Sequence, residues 1–238
     1  MFLNNFNTTK CMPKLKNLSK RLIVGLTGKS AAQIISKVKE CNELGIKEAS
    51  LFLEIISIKE RKKVYAALKK SRIKKIQLIH IRNDMKKLEL DYLEKEYKPK
   101  YLTIHESSFK YFPKWNGYLK KLYLELDYNN HIPKKVKMEK IAGFCIDLSH
   151  FKASEERWTR EFEFITKRKK YLHYFKCNHI NGYTPKGKKD IHRIRTLNDF
   201  EYLKTLPKFI FGEAIAMEMF NPIKQQIEYK KHITNMLN

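Results

Sequence analysis

Short apolar runs alternate along the chain with stretches whose apolar residues recur at helical spacing. Arg21-Leu-Ile-Val-Gly-Leu-Thr27 is the first run, closed by Gly28, and it reads as a buried strand. Ala31, Ile34, Ile35, Val38, Cys41 and Leu44 then follow a helical period that ends at Gly45. The same alternation repeats. Strands are expected at Ala49 to Ile56, Lys75-Ile-Gln-Leu-Ile-His80, Tyr101-Leu-Thr-Ile-His105 and Leu122-Tyr-Leu-Glu125. Three more are expected at Ile141-Ala-Gly-Phe-Cys-Ile-Asp147, Tyr171 to Cys177 and Lys208-Phe-Ile-Phe-Gly-Glu213. Helices are expected through Leu68, around Leu88 to Leu93, near Ala153 to Ile165, at Phe200 to Leu203 and from Pro222 to Met236. The links around Phe112 to Tyr118 and through Pro133 and Val136 are brief.

Eight strand-helix units between residues 21 and 238 are the period of an α/β (β/α)8 TIM barrel, a single domain preceded by a basic tail over residues 1–20. The strands are short and apolar throughout, as parallel strands covered by helices must be. A doubly wound open sheet is the alternative architecture. It would ordinarily carry a glycine-rich phosphate loop after its first strand. Gly25-Leu-Thr-Gly-Lys-Ser30 stands there but fits neither phosphate-loop spacing.

Charge adds a second constraint. Fifty Lys and Arg face 25 Asp and Glu, a net +25. Such a field favours a polyanionic partner, DNA or a phosphorylated small molecule. No run reaches the roughly 18 apolar residues of a membrane span, and residues 1–20 lack a signal-peptide core. Cys11, Cys41, Cys145 and Cys177 are widely spaced, and the last three read as reduced, buried thiols of a cytoplasmic protein. A monomer is expected.

Candidate chemistry collects at the carboxyl ends of the expected strands: His80, His105, Glu125, Asp147 with His150, His179 with Asp190 and His192, and Glu213. In a barrel all of these ends face one mouth. So many acids and imidazoles crowded together call for cations among them. The mixture of nitrogen and oxygen ligands suits Zn²⁺, Mn²⁺ or Fe²⁺. Asp190 and His192 form an Asp-x-His whose side chains point the same way in an extended segment. Lys186, Lys188, Lys189, Arg193 and Arg195 surround that pair and are placed to meet phosphates.

At these residues the chain resembles the xylose-isomerase-like metal TIM barrels, the superfamily that includes AP endonuclease family 2. It looks most like the endonuclease IV branch. The resemblance rests on Cys145-Ile-Asp147-Leu-Ser-His150, on His179-Ile-Asn181 with Asp190-Ile-His192, and on a glutamate from the eighth strand. Arg193-Ile-Arg-Thr196 stands where that branch carries Gly-Glu-Gly. The resemblance implies up to three zinc ions held by nine ligands: His80, His105, Glu125, Asp147, His150, His179, Asp190, His192 and Glu213. It implies hydrolysis of a DNA phosphodiester at an abasic site, with Glu125 and Glu213 as the catalytic carboxylates and Tyr183 as a candidate wedge. The sugar and sugar-phosphate isomerases and epimerases of the same superfamily are the alternative. They need only Glu125, Asp147, His179 and Glu213, with His150 near the substrate.

Overall fold

The computed structural model describes residues 15–134 and 136–238. A short helix α1 (Leu18–Arg21) leads into β1 (Leu22–Ile23) and β2 (Gly25–Leu26), two halves of one strand interrupted at Val24. Strand and helix then alternate: α2 (Ala31–Glu43), β3 (Glu48–Phe52), α3 (Ile58–Lys69), β4 (Lys75–His80), α4 (Lys87–Tyr97), β5 (Tyr101–His105) and β6 (Leu122–Glu125). Next come β7 (Gly143–Asp147), α5 (Leu148–Arg157), α6 (Arg160–Thr166), β8 (Phe175–Ile180), a hairpin of β9 (Gly182–Thr184) and β10 (Lys189–Ile191), β11 (Ala214–Met217) and α7 (Ile223–Leu237). Short 3₁₀ turns replace helices at Glu106–Trp115 and Leu197–Thr205.

The main sheet runs β1-β11-β8-β7-β6-β5-β4-β3-β2, parallel throughout. Since β1 pairs with β11 and β2 pairs with β3, the divided first strand closes the sheet into a (β/α)8 TIM barrel. Closure requires glycine at residue 25. A Cβ there would lie 1.8 Å from the carbonyl oxygen of Met217, and the Gln226 side chain holds both backbone groups of Gly25 from α7.

Two apolar layers follow from the period of the strands. Inside the barrel Ile23, Phe52, Leu78, Tyr101, Tyr123, Cys145, Cys177, Ala214 and Ala216 pack together. The larger outer cluster, with Leu51, Ile79, Leu102, Leu124 and Phe144, is covered by the helices. Two residues beyond the inner layer, toward the carboxyl ends, the same strand faces present His80, Thr103, Glu125, Asp147 and His179. The polar ring therefore stacks directly on an apolar plug.

Several expected boundaries move. The strand expected at Ala49 to Ile56 ends at Phe52, which frees Glu54. The helix near Ala153 to Ile165 is broken at Trp158, which lies in the left-handed region at φ 53°. The seventh expected strand, Tyr171 to Cys177, starts only at Phe175. The largest correction is at the eighth strand. Lys208–Ile210 is a 3₁₀ turn, and the strand is Ala214–Met217. Arg21 donates to the Phe211 and Gly212 carbonyls, and Asn178 accepts from the Gly212 N–H. Those bonds hold the segment at the amino end of the barrel. Most of the expected tail, residues 1–14, lies outside the described residues, and residues 18–21 are helical. Among the described residues no helix is long and apolar enough to cross a membrane.

Candidate metal centre

Glu125 ends β6 and is 1% exposed. Its Oε2 lies 2.9 Å from His80 Nε2 at the end of β4 and 3.0 Å from His179 Nδ1 on β8. The other oxygen lies 3.7 Å from His150 Nδ1, in the first turn of α5. Glu218 brings its Oε2 to 3.2 Å from the same Nδ1. Ligand atoms within 4.8 Å of one another form two groups that share this carboxylate, His80-His105-Glu125 and Glu125-Asp147-His179-Glu218. A third group, His105-Glu106-Asp127, lies beside the first. Buried His, Glu and Asp side chains here can thus hold a metal ion.

Local structure fixes each of these side chains. Asp147 ends β7 and caps α5: its Oδ1 accepts from the His150 backbone N–H at 2.8 Å and from the Ser149 hydroxyl at 2.7 Å. The other Asp147 oxygen accepts from the Asn181 amide at 3.0 Å. The Asp-Leu-Ser-His motif is therefore a helix start that puts Asp147 into the second ligand group and leaves His150 facing Glu125 from the first turn of α5. Thr103 lies 3.3 Å from His179 Nε2, and the Phe52 ring floors the site beneath His80 and His179. The Asp190-x-His192 pair sits at the end of β10, with His192 Nε2 3.0 Å from Asp190 Oδ2. The Tyr128 hydroxyl donates to Asp190, and its ring lies 4.9 Å from that of His150. His150, Asp190 and His192 are linked through these neighbours and do not converge on one point. A cavity of about 380 Å³ opens over His105, Glu125, His150, His192 and Glu218. Another of about 340 Å³ opens over Tyr128, His150 and Asp190.

The charges hold one another in place. Burial alone would raise the Glu125 carboxyl, but His179 and His105 outweigh it and keep the group well below the usual carboxylate range. Burial would lower the His105 imidazole, yet Glu125 and Asp127 push it up to about 10. His192 is pushed up to about 10 in the same way, by Asp190 and Glu218 against its burial. Asp147 and Glu54 are both raised, chiefly by burial.

The arrangement also fits a cation by what it leaves unbonded. Nδ1 of His105, His150 and His179 is buried with no hydrogen-bond partner. The carboxylate oxygens that face them, of Asp127 for His105 and of Glu125 for the other two, lie 3.0 to 3.7 Å away without making a hydrogen bond. Buried polar atoms left in this state are costly. A cation placed between ring nitrogen and carboxylate oxygen would remove that cost.

Glu213 does not belong to the site. It precedes β11 at the opposite end of the barrel, where it accepts from Lys176 Nζ at 2.7 Å and from the Tyr101 hydroxyl at 3.1 Å. Glu218 takes the place expected of it, because the strand begins six residues later than its apolar run suggests. The signal was present in Ala214-Ile-Ala-Met-Glu218, an apolar run that ends in an acid. Glu54 and Asp127 were also missed. Glu54 shares strand parity with Phe52, and Asp127 follows Glu125 by two and faces His105 at 3.2 Å. Tyr183 is 4% exposed and donates to Glu156, so it cannot act as a wedge. Lys186, Lys188, Lys189, Arg193 and Arg195 are all exposed on or beside the hairpin. The thiols of Cys41, Cys145 and Cys177 are free and buried, and Cys11 lies outside the described residues.

No protein-family model matches the chain, and no curated protein matches it.

Proposed function

We propose that the protein is a divalent-metal-dependent phosphodiesterase, similar to endonuclease IV, that cleaves DNA at abasic sites with zinc as its cation. The observation that carries this reading is the sharing of Glu125 between His80-His105 on one side and Asp147-His179-Glu218 on the other. A shared carboxylate between two ligand groups is what a clustered-metal hydrolase requires. His150, Asp190 and His192, which do not converge on one point, are assigned no ion here and border the cavities beside the second group. Mixed imidazole and carboxylate donors suit zinc.

Cations held by these residues would supply Lewis-acid charge to a phosphodiester and would activate water near neutral pH. The chain's own groups do the rest. Glu125 fixes the spacing of the two ligand groups. Glu218, in the role expected of Glu213, faces both His179 and the open cavity. Thr103 and Asn181 hold His179 and Asp147 in orientation. The exposed Lys186, Lys188, Lys189, Arg193 and Arg195 meet the strand's phosphates. An abasic nucleotide must leave the stack to reach a site sunk in a barrel mouth.

A single-metal isomerase or epimerase acting on a sugar or sugar phosphate is the second reading. It is favoured by the second ligand group alone, since Glu125, Asp147, His179 and Glu218 would suffice. Elemental analysis separates the two, because two or three ions per chain support the nuclease and one supports the isomerase. A duplex carrying one abasic-site analogue tests the first reading directly. Cleavage that chelator abolishes is expected. An uncut duplex with the metal sites full would refute it.

A further inference from the structure

The turn between β2 and α2 contributes no ligand to the metal centre, yet it builds a second cleft beside it. Thr27-Gly28-Lys29-Ser30 leads into the thirteen-residue α2, with Ser30 as the N-cap. Gly28 is held by close approach, since a Cβ would lie 2.7 Å from that of Gln33. The cleft encloses about 360 Å³, with Thr27, Lys29, Lys37 and Arg193 on its walls. Thr27, Lys29 and Phe220 also line the cavity over Glu125, so the two spaces share a wall.

Three cations line this space. Glu40, the acid among them, already accepts from the Ile223 backbone N–H at 2.7 Å. The Thr27 hydroxyl is buried, 2% exposed, and has no partner. Lys37 is 4% exposed and reaches only the Met219 carbonyl, so an ammonium with three donors keeps two to spare. Lys29 stands over the Phe220 ring at 5.5 Å. An unpartnered hydroxyl and a buried ammonium raise the free energy of the fold unless a ligand meets them.

We propose that this cleft is a phosphate subsite, in which Thr27, Lys29, Lys37 and Arg193 hold a phosphate group next to the one presented to the metal centre. The inference rests on the proposed function for the source of that group. In DNA it is the phosphodiester of a neighbouring nucleotide, and in a sugar phosphate it is the terminal monoester.

Three variants of the full chain at matched metal content test it: Lys29→Ala, Lys37→Met and Thr27→Val. The probes are a duplex with an abasic-site analogue and a simple sugar phosphate. For the duplex at pH 6, where Lys37 is charged, each lysine variant should lower the slope of log affinity against log salt by about 1. Affinity at fixed salt should fall about fivefold or more in all three variants. Weakened duplex binding identifies the diester as the source, and weakened sugar-phosphate binding alone identifies the monoester. Unchanged affinity for both probes in Lys29→Ala and Lys37→Met overturns the subsite, even if the wild-type protein cuts abasic DNA. Weakened binding in the variants of a protein that cuts nothing keeps the subsite and removes the nuclease reading. Lys29 is exposed, so its variant remains informative should Lys37→Met fail to fold.

Discussion

Glu125 Oε2 lies 3.0 Å from His179 Nδ1, and that nitrogen has no hydrogen bond despite the short distance. The carboxylate and the imidazole face a common point rather than each other. The same Glu125 oxygen lies 2.9 Å from His80 Nε2, so one carboxylate serves two groups of ligands.

Glu125→Gln should therefore cost more metal than any other single ligand change. It is expected to lose ions from both groups, whereas His105→Ala should lose only the ion on its own side. Activity in Glu125→Gln should fall by at least about a hundredfold, beyond the loss typical of residues that merely orient ligands. Elemental analysis of both purified variants checks the difference, and equal losses would argue against a shared carboxylate.

Glu213 and Glu218 make a matched pair for testing where the site is. Glu213→Gln removes a half-exposed ion pair with Lys176 and should change stability by about 1 kcal/mol at most. Its metal content should stay at the wild-type level. Glu218→Gln should lose metal with little change in fold. Reversal of that pattern would place Glu213, and not Glu218, at the metal centre.

Barrel closure depends on a missing side chain at residue 25. Gly25→Ala would drive a methyl group into the Met217 carbonyl, which lies 1.8 Å from the position of its Cβ. A loss of roughly 3 kcal/mol or more is expected, at the upper end for overpacking, because the obstacle is backbone. Urea denaturation measures it. The same variant should bind metal less tightly, since β11 carries Glu218 just beyond that carbonyl.

Lys37 supplies a pH dependence independent of any metal. Burial pushes its ammonium from 10.5 down to about 7 in the folded chain. Between those values the unfolded chain binds a proton that the folded chain does not, so this residue makes wild-type stability rise with pH across that window. Below pH 7 both states are charged and the contribution is flat. The stability of Lys37→Met relative to wild type should accordingly be most favourable below pH 7 and decline toward pH 10. Denaturant midpoints of both proteins across pH 6 to 10 test this, and a constant difference would show that Lys37 stays charged.

The alternation of strands and helices was legible because it is written locally. Lys75–His80, Tyr101–His105 and Leu122–Glu125 form strands with the bounds their apolar runs predict. Period two along them puts His80, His105 and Glu125 at the carboxyl ends, and a parallel barrel gathers such ends at one rim. The sequence by itself thus determined the architecture and most of the polar ring. It did not determine where the eighth strand starts. Lys208 to Gly212 is as apolar as a strand, and contacts from distant Arg21 and Asn178 hold it out of the sheet. Glu54 was hidden in the same way, by a strand that stops sooner than its apolar run. Start and stop of a strand are set by partners far along the chain, and a shift of a few residues moves an acid from one end of the barrel to the other. For that reason tertiary structure alone decided between Glu213 and Glu218, and alone brought Thr27, Lys37 and Arg193 around one cleft.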